Sequence, residues 1–275
     1  MWWLMQAVGV IVRWLIWPFS HFNPWFGLLF VSLLTSLLML FIYKKTSDQE
    51  KIRRTKNLIK AYLLEMRLFQ HDYRVLLQTQ KNLLLANLRY LTLNFKPLLV
   101  MMVPLFLLLA QLNLWFGYRN LKPDETFLLK IKLNSAVEVD RAALDLETPP
   151  GLEVETPVLR IIDENEADWR IRVRDRVESP LVITVNGERY RKEIVAGFKQ
   201  LKKISPIRPG KNLWLRLIYP GEKPLPPGSY LEKIEITWPE NRLSLLGLRW
   251  HWLVAYFILT VIFALAFRRA FKVEI

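Results

Sequence analysis

Hydrophobic residues dominate three stretches of the chain that contain no Asp, Glu, Lys or Arg. Residues 25–43 form the first stretch, which is closed by Lys44 and Lys45. A helix of this length is about 28 Å long, close to the thickness of the hydrocarbon core of a bilayer. Residues 97–117 and 250–267 have the same character. The pattern therefore predicts three transmembrane helices.

Polar residues recur on single faces of these predicted helices. Ser32, Thr35 and Ser36 follow at spacings of three and four, so they share one face of the first span. One interpretation is that the hydroxyls bond to carbonyls of their own helix or join two helices. The other is that they line a hydrated groove. The candidate groove-lining residues are Ser32, Thr35, Ser36, Gln111, Tyr256 and Thr260.

The N-terminal stretch, residues 1–24, is apolar and rich in tryptophan but is interrupted by Gln6 and Arg13. Tryptophan favours the headgroup level of a bilayer, so we predict an amphipathic helix that lies in the membrane interface and ends near Pro18. A short true span is the alternative. A cleaved signal peptide fits less well, because the charge lies mid-segment and no small-residue cleavage site follows.

Residues 44–96 are basic, with twelve Lys and Arg against four Asp and Glu, and contain no Gly or Pro. Apolar residues repeat every seven positions, as in Ile59, Met66 and Tyr73, which is typical of a coiled-coil seam. Both ends of this segment adjoin predicted spans, so the chain must double back. We predict an antiparallel helical hairpin with its tip at residues 70–72.

Charge fixes the predicted orientation. The basic hairpin and the C-terminal tail, residues 268–275, lie in the cytoplasm by the positive-inside bias. The hairpin's charge suits anionic lipid headgroups, and contact with nucleic acid or ribosomal RNA is the alternative. The segment between the last two spans is then extracytoplasmic.

This outer segment, residues 118–249, alternates apolar and polar residues with the period of two typical of strands, for example at 127–133, 169–173, 213–217 and 234–238. Asn186-Gly187 between two such runs indicates a β-hairpin. Seven or eight short strands predict an all-β, immunoglobulin-like sandwich.

Composition limits the chemistry that the chain can perform. It has no cysteine and only three scattered histidines, which excludes thiolate sites and offers no metal-ligand spacing. No carboxylate pair, Ser-His arrangement or phosphate-binding loop is recognisable in the outer segment. We therefore expect no cofactor, no metal and no enzymatic activity. At 52% hydrophobic and 23% charged residues, the chain combines membrane and soluble parts.

The order of elements resembles the core of the YidC/Oxa superfamily of membrane-protein insertases. An interfacial helix, a span and a basic cytoplasmic hairpin precede a second span, whose segment Lys96-Pro97-Leu98-Leu99-Val100-Met101-Met102-Val103-Pro104-Leu105-Phe106 is similar to the proline-bounded segment of YidC. With three spans, the chain is more similar to the minimal archaeal and endoplasmic-reticulum branches. It departs from YidC in having no arginine in its first span, and from the minimal relatives in having a large outer sandwich.

The resemblance implies an insertase or insertion chaperone that works without nucleotide hydrolysis, in a bacterial inner membrane. A hydrophilic groove would lower the cost of moving short polar segments of client proteins into the bilayer. Met101 and Met102 would meet the apolar parts of clients, because flexible thioethers suit varied partners. The hairpin would meet the ribosome or another insertion factor. The implied partners are thus membrane lipids, client membrane proteins and an unknown partner of the sandwich.

A membrane-anchored structural or sensory protein is the competing hypothesis. Its outer sandwich would bind a partner, and its hairpin would relay or scaffold in the cytoplasm. Composition and topology fit this hypothesis equally well. It does not account for the polar face of the first span or for the proline inside the second.

Overall fold

The computed structural model of the chain describes residues 2–198, 200–245 and 247–274. The first residue of the predicted N-terminal helix and the last residue of the predicted C-terminal tail, residues 1 and 275, therefore lie outside the described residues. It combines long helices with a sheet-rich C-terminal region, as the sequence predicts. The helices are α1 (Trp2–Ile16), α2 (Pro24–Thr46), α3 (Gln49–Leu68), α4 (Tyr73–Phe116), α5 (Leu213–Ile218) and α6 (Trp252–Phe267). A 3-10 turn, Trp17–Phe19, follows α1.

Two helices, α2 and α4, are long and apolar enough to cross a membrane. At 1.5 Å per residue, the 23 residues of α2 extend about 35 Å and the 44 residues of α4 about 66 Å. Helices α1 and α6 are apolar but shorter, with 15 and 16 residues.

The predicted boundary between the hairpin, residues 44–96, and the second span, residues 97–117, is not a helix boundary. Pro97 and Pro104 both lie inside α4, which runs without interruption from the hairpin through the apolar segment. No glycine or polar turn precedes Pro97, so nothing ends the helix there. Each proline removes one backbone hydrogen bond, and the helix continues through neighbouring bonds.

Between α3 and α4 the chain reverses at residues 69–72. Asp72 closes the turn, because its side chain accepts hydrogen bonds from the backbone N–H groups of Arg74 (3.0 Å) and Val75 (3.3 Å). Asp48 caps the start of α3 by accepting from the N–H of Lys51 (3.1 Å). These carboxylates lie at helix N-termini, where they also complement the helix dipole.

The sheet-rich region is antiparallel throughout its named strands. The strands are β1 (Thr126–Leu133), β2 (Leu144–Glu147), β3 (Leu152–Val154), β4 (Leu159–Ile161), β5 (Glu166–Val173), β6 (Leu181–Val185), β7 (Glu188–Lys192), β8 (Ile207–Pro209), β9 (Leu231–Ile236), β10 (Arg242–Leu245) and β11 (Leu248–His251). One sheet has the strand order β3-β5-β1-β9-β8, with β4 also paired to β5, and a second sheet has the order β2-β6-β7.

One core joins the two sheets. Phe127, Ile171 and Ile234 from the larger sheet and Ile183 from the smaller sheet belong to a single buried hydrophobic cluster. Alternate residues of β1 and β6 are buried, as expected for strands with one face on a core. The region is therefore a two-layered β domain. Its immunoglobulin-like topology stays a prediction.

The strand predicted at 213–217 is wrong, because these residues form α5. The Asn212 side chain accepts hydrogen bonds from the N–H groups of Trp214 (3.0 Å) and Leu215 (3.2 Å), which starts a helical turn. Leu213 and Trp214 are exposed. The alternation of leucines thus does not reflect a buried strand face.

The helix predicted to begin at 250 begins at Trp252 instead. Trp250 pairs with Leu243 in the hairpin formed by β10 and β11. The first residues of the apolar run therefore belong to a strand and not to the helix. This leaves α6 shorter than the predicted span.

The described chain divides into two compact units. The first contains the residues up to Leu28 together with Leu107–Ala255, and so includes α1 and the β domain. The second contains Leu29–Phe106 and the residues from Tyr256 onward, and so includes the hairpin, most of α2 and most of α6.

Within the first unit, hydrogen bonds to backbone carbonyls attach the β domain to the ends of helices. The N–H of Ile204 donates to the carbonyl of Leu114 (2.7 Å), and that of Leu201 donates to the carbonyl of Ser20 (3.2 Å). The Trp25 indole N–H donates to the carbonyl of Ser244 (2.9 Å). The β domain is thus fixed to the ends of α4 and α2 rather than tethered by a linker.

Candidate functional site

The polar face of α2 is closed in this structure. Ser32, Thr35 and Ser36 are all buried. The Thr35 hydroxyl donates to the carbonyl of Val31 (2.8 Å), and the Ser36 hydroxyl donates to that of Leu33 (2.8 Å). Two of the three hydroxyls therefore bond to their own helix, which is the alternative to a groove that the sequence leaves open.

The polar residues of α6 lie close to this face. Tyr256 is fully buried, and its hydroxyl lies near those of Thr35 and Thr260. Thr260, which is half-buried, donates to the carbonyl of Tyr256 (2.7 Å). The second unit thus brings the hydroxyl of Thr35 on α2 together with those of Tyr256 and Thr260 on α6.

Two hydroxyls in this group lack hydrogen-bond partners among the described residues. They belong to Ser32 and Tyr256. A buried polar group without a partner typically costs about 1–3 kcal/mol, so such groups are uncommon in native proteins. Both can accept a hydrogen bond from, or donate one to, a polar group that reaches them. We call Ser32, Thr35, Ser36, Tyr256 and Thr260 the hydroxyl cluster.

Gln111 has a different role in the structure. It lies in the first unit, where its side-chain amide donates to the carbonyl of Met5 (2.8 Å) and its oxygen has no partner among the described residues. A Cβ on Gly9 would lie 3.1 Å from that oxygen, so the missing side chain lets α1 approach Gln111. Gln111 therefore attaches α1 to the end of α4.

The two methionines of the second predicted span differ in exposure. Met101 is half-buried, whereas Met102 is exposed. Met102 is also one of a longer series of apolar residues on α4, most of which the sequence reasoning missed.

This series runs along one face of α4 and is exposed throughout, with 41–67% of each side chain accessible. Its members follow at spacings of three, four or seven, which places them within an arc of about 80° on the helix. The series is about 44 Å long. We call it the α4 apolar stripe, and it consists of Leu77, Leu84, Leu88, Leu91, Phe95, Leu98, Met102 and Phe106.

The opposite face of α4 is buried within the hairpin. Thr79 and Ala86 lie on it and are less than a tenth exposed. Of the predicted coiled-coil seam residues, Ile59 and Met66 are half-buried, but the prediction is wrong for Tyr73, which is 78% exposed at the start of α4. The hairpin seam therefore uses a different face of α4, and the stripe is left uncovered. The spacing of three or four between apolar residues continues across residue 96. Following it from the predicted hairpin into the predicted second span would have identified the stripe.

The β domain carries an open cavity of about 570 Å³ in the first unit. Phe198 lies on its wall, half-buried, with the ammonium of Lys202 4.8 Å and the guanidinium of Arg176 6.0 Å from its ring. Asn120, also on the wall, donates to the carbonyl of Gln200 (2.7 Å), but its own oxygen has no partner among the described residues. The cavity can hold a ligand that is mainly apolar and carries a polar or anionic group.

Among the described residues, no three His, Asp or Glu side chains approach closely enough to hold a metal ion. Comparison of the chain with models of protein families, with curated proteins and with solved structures finds no match. The functional argument therefore depends on the chain's own geometry.

Proposed function

We propose that this protein is a YidC/Oxa-like insertion factor of the bacterial inner membrane. In this proposal α2, the apolar half of α4 and α6 are the three spans, and the β domain is extracytoplasmic. Lys44, Lys45, Lys96 and Arg268 mark the cytoplasmic ends of the spans, consistent with the positive-inside bias. The hairpin and the C-terminal tail are then cytoplasmic. Helix α1 would lie in the outer interface.

The α4 apolar stripe carries the proposal. Its first half, Leu77 to Leu91, lies in the cytoplasmic hairpin, where water would otherwise surround it. Its second half, from Leu98, lies in the proposed span. An apolar client segment can therefore keep contact with leucines all the way from the cytoplasm to the lipid. Covering one such side chain contributes roughly 1.5–3 kcal/mol, so a few contacts suffice to hold a client briefly.

The hydroxyl cluster would serve the polar part of the client. An unpaired amide or hydroxyl in hydrocarbon costs several kcal/mol, and a hydrogen bond inside the protein removes much of that cost. The Ser32 hydroxyl has no hydrogen-bond partner among the described residues, and that of Tyr256 has only the hydroxyls of Thr35 and Thr260 beside it. Since the cluster is buried in the structure, α2 and α6 must separate before a client reaches it. The cluster is uncharged, so the proposed mechanism lowers desolvation cost and does not attract a client by charge.

Photocrosslinking along α4 tests the proposal. A photoreactive amino acid at Leu84 or Leu88 should crosslink a nascent single-span client during its synthesis. The matched controls are Gln78 and Arg89, which are also exposed on α4 but lie about 120–140° from the centre of the stripe. Strong adducts at the stripe and weak ones at the controls support client binding. Equal adducts at all four positions, or none, would refute it.

The cavity of the β domain favours a second candidate function, a membrane-anchored binding protein. In that case the outer domain would bind a partner beside Phe198, and the hairpin would serve only as a cytoplasmic scaffold. Substituting Phe198→Ala would then abolish function while Leu84→Ser and Leu88→Ser would not. The insertion proposal expects the opposite pattern.

A further inference from the structure

The C-terminal segment after α6 folds back onto the base of the hairpin. Its turn places Lys272 in a left-handed conformation, with φ of 54°. The backbone N–H of Glu274 then donates to the side-chain oxygen of Gln49 (2.7 Å), and Val273 is buried. The Lys56 ammonium lies 3.3 Å from the Glu274 carboxylate. The tail is thus fixed to the first turns of α3.

This docking forms a depression of about 540 Å³ in the second unit. One side is the N-terminal part of α3, and the other is the tail. The residues that line it are Gln49, Glu50, Arg53, Lys56, Arg268, Arg269, Lys272, Val273 and Glu274. Its size lies within the range of small-molecule sites.

Cations outnumber carboxylates in the depression by five to two. Both carboxylates are engaged, because Glu50 pairs with Arg54 and Glu274 pairs with Lys56. The other cations form no ion pair with any residue of the described ranges, and they are Arg53, Arg268, Arg269 and Lys272. Like charges that converge on a concave surface repel each other, so an anion bound among them would be stabilised.

The chemistry of these groups favours a phosphate. A guanidinium presents paired N–H donors that match two phosphate oxygens, and three of the four unpaired cations are arginines. The oxygens of a phosphodiester match these donors.

We propose that this depression, the tail-docked basic site, binds the phosphate headgroup of an anionic phospholipid of the cytoplasmic leaflet. The inference depends on the membrane topology of the proposed function but not on insertion activity. In that topology Arg268 follows the cytoplasmic end of α6, so the site lies at the headgroup level. Basic pockets at the cytoplasmic ends of spans are suited to anionic lipids.

Lipid retention by the full-length protein tests this proposal. The purified protein is relipidated with phosphatidylglycerol or phosphatidylcholine, diluted in detergent and analysed by native mass spectrometry. We expect one phosphatidylglycerol to stay bound after phosphatidylcholine is lost. The variant Arg268→Gln/Arg269→Gln/Lys272→Gln should bind it about 100-fold more weakly, since each cation near an anionic surface changes affinity about fivefold.

A second variant, Lys60→Gln/Arg67→Gln/Arg89→Gln, removes the same charge from exposed hairpin positions outside the site. It should retain phosphatidylglycerol like the native chain. Equal losses in both variants, or equal retention of phosphatidylcholine, would overturn the proposal. Displacement of the lipid by millimolar inorganic phosphate would also overturn it, because the site would then serve a free anion. No client is needed, so failed client crosslinking leaves this result interpretable.

Discussion

The hydroxyl of Tyr43 on α2 donates a hydrogen bond to the side-chain oxygen of Asn94 on α4. The same hydroxyl lies 3.4 Å from the carbonyl of Glu274. Tyr43 therefore joins three parts of the second unit: α2, α4 and the C-terminal tail. In the proposed topology this junction lies at the cytoplasmic ends of the spans.

Removing that hydroxyl should loosen the junction. We expect Tyr43→Phe to destabilise the protein by about 1–2 kcal/mol, the usual cost of a lost hydrogen bond with a partner left behind. The measurement is the thermal unfolding midpoint of the full chain in detergent. Tyr62→Phe is the control, because the Tyr62 hydroxyl makes no hydrogen bond within the described residues. Equal midpoints for the two variants would contradict this role.

Breaking the buried ion pair of the β domain should strongly destabilise that domain. Lys192 and Glu222 pair with almost no exposure, and the Lys192 ammonium also donates to the carbonyl of Ser205 (2.6 Å). Lys192→Met leaves a buried carboxylate without its partner, so we expect a loss of about 3–5 kcal/mol. Hydrogen exchange of β6 and β7 in the full chain measures it.

The matched control for this pair is the exposed pair of Arg189 and Glu147, whose side chains are 63% and 50% accessible. Arg189→Met should cost less than about 1 kcal/mol. The double variant Lys192→Met/Glu222→Leu should recover most of the lost protection, because no charge is then buried alone. Similar effects of the two single variants would refute the special role of the buried pair.

The charged side chain of Asp168 should lower the free energy of unfolding of the β domain at neutral pH. Burial raises the pKa of its carboxyl, and one of its oxygens has no partner within the described residues. Because the pKa is higher in the folded state than in the unfolded state, the charged carboxylate lowers stability once the pH exceeds both values. We expect Asp168→Asn to raise the unfolding midpoint at pH 7 and to leave it unchanged near pH 3.

Lys130 should not lose its ion pair when Asp168 is replaced. Its ammonium lies 3.0 Å from Glu166 and 3.5 Å from Asp168, and the hydrogen bond to Glu166 is the main cause of its raised pKa. Lys130 thus keeps a partner in Asp168→Asn. The exposed Asp163→Asn is the control and should change nothing. A lower midpoint for Asp168→Asn at pH 7 would show that attraction by Lys130 outweighs burial.

Opening of the hydroxyl cluster can be followed with single cysteines, since the chain has none of its own. Ser32→Cys and Ser36→Cys should resist a membrane-impermeant maleimide at rest, because both positions are buried. They should become reactive when a client is engaged. Lys45→Cys, an exposed position, reports reagent access throughout. Continued protection with client bound would remove the hydroxyl cluster from the mechanism.

Local chemistry made some elements predictable. The hairpin at Asn186-Gly187 is confirmed, with φ values of 49° and 86° at the two turn residues and five paired positions between β6 and β7. Two residues with positive φ define this tight turn, and Asn-Gly is the sequence that tolerates them best. The runs at 127–133, 169–173 and 234–238 were equally predictable, because buried residues alternate with exposed or half-buried ones along each of them.

Errors arose where two local signals competed. At 213–217 the leucines alternate as in a strand, but Asn212 caps a helix, and no core contact favours the strand. At Pro97 the rule that proline starts helices was outweighed by forty-four residues of helix-compatible sequence. The burial of Ser32 and Tyr256 depends on how α2 and α6 pack, which periodicity within one helix cannot reveal.

Insertion by the purified protein tests the central claim, that the α4 apolar stripe receives clients, most directly. Liposomes containing the native chain or Leu84→Ser/Leu88→Ser are offered a single-span client with a short polar tail, and the fraction of tails protected from protease is measured. Gln78→Ser/Arg89→Ser is the matched control. The account predicts that the native chain and the control insert the client well above empty liposomes, while the stripe variant loses most of this activity. Equal insertion by the native chain and the stripe variant, or insertion no better than empty liposomes, would contradict it.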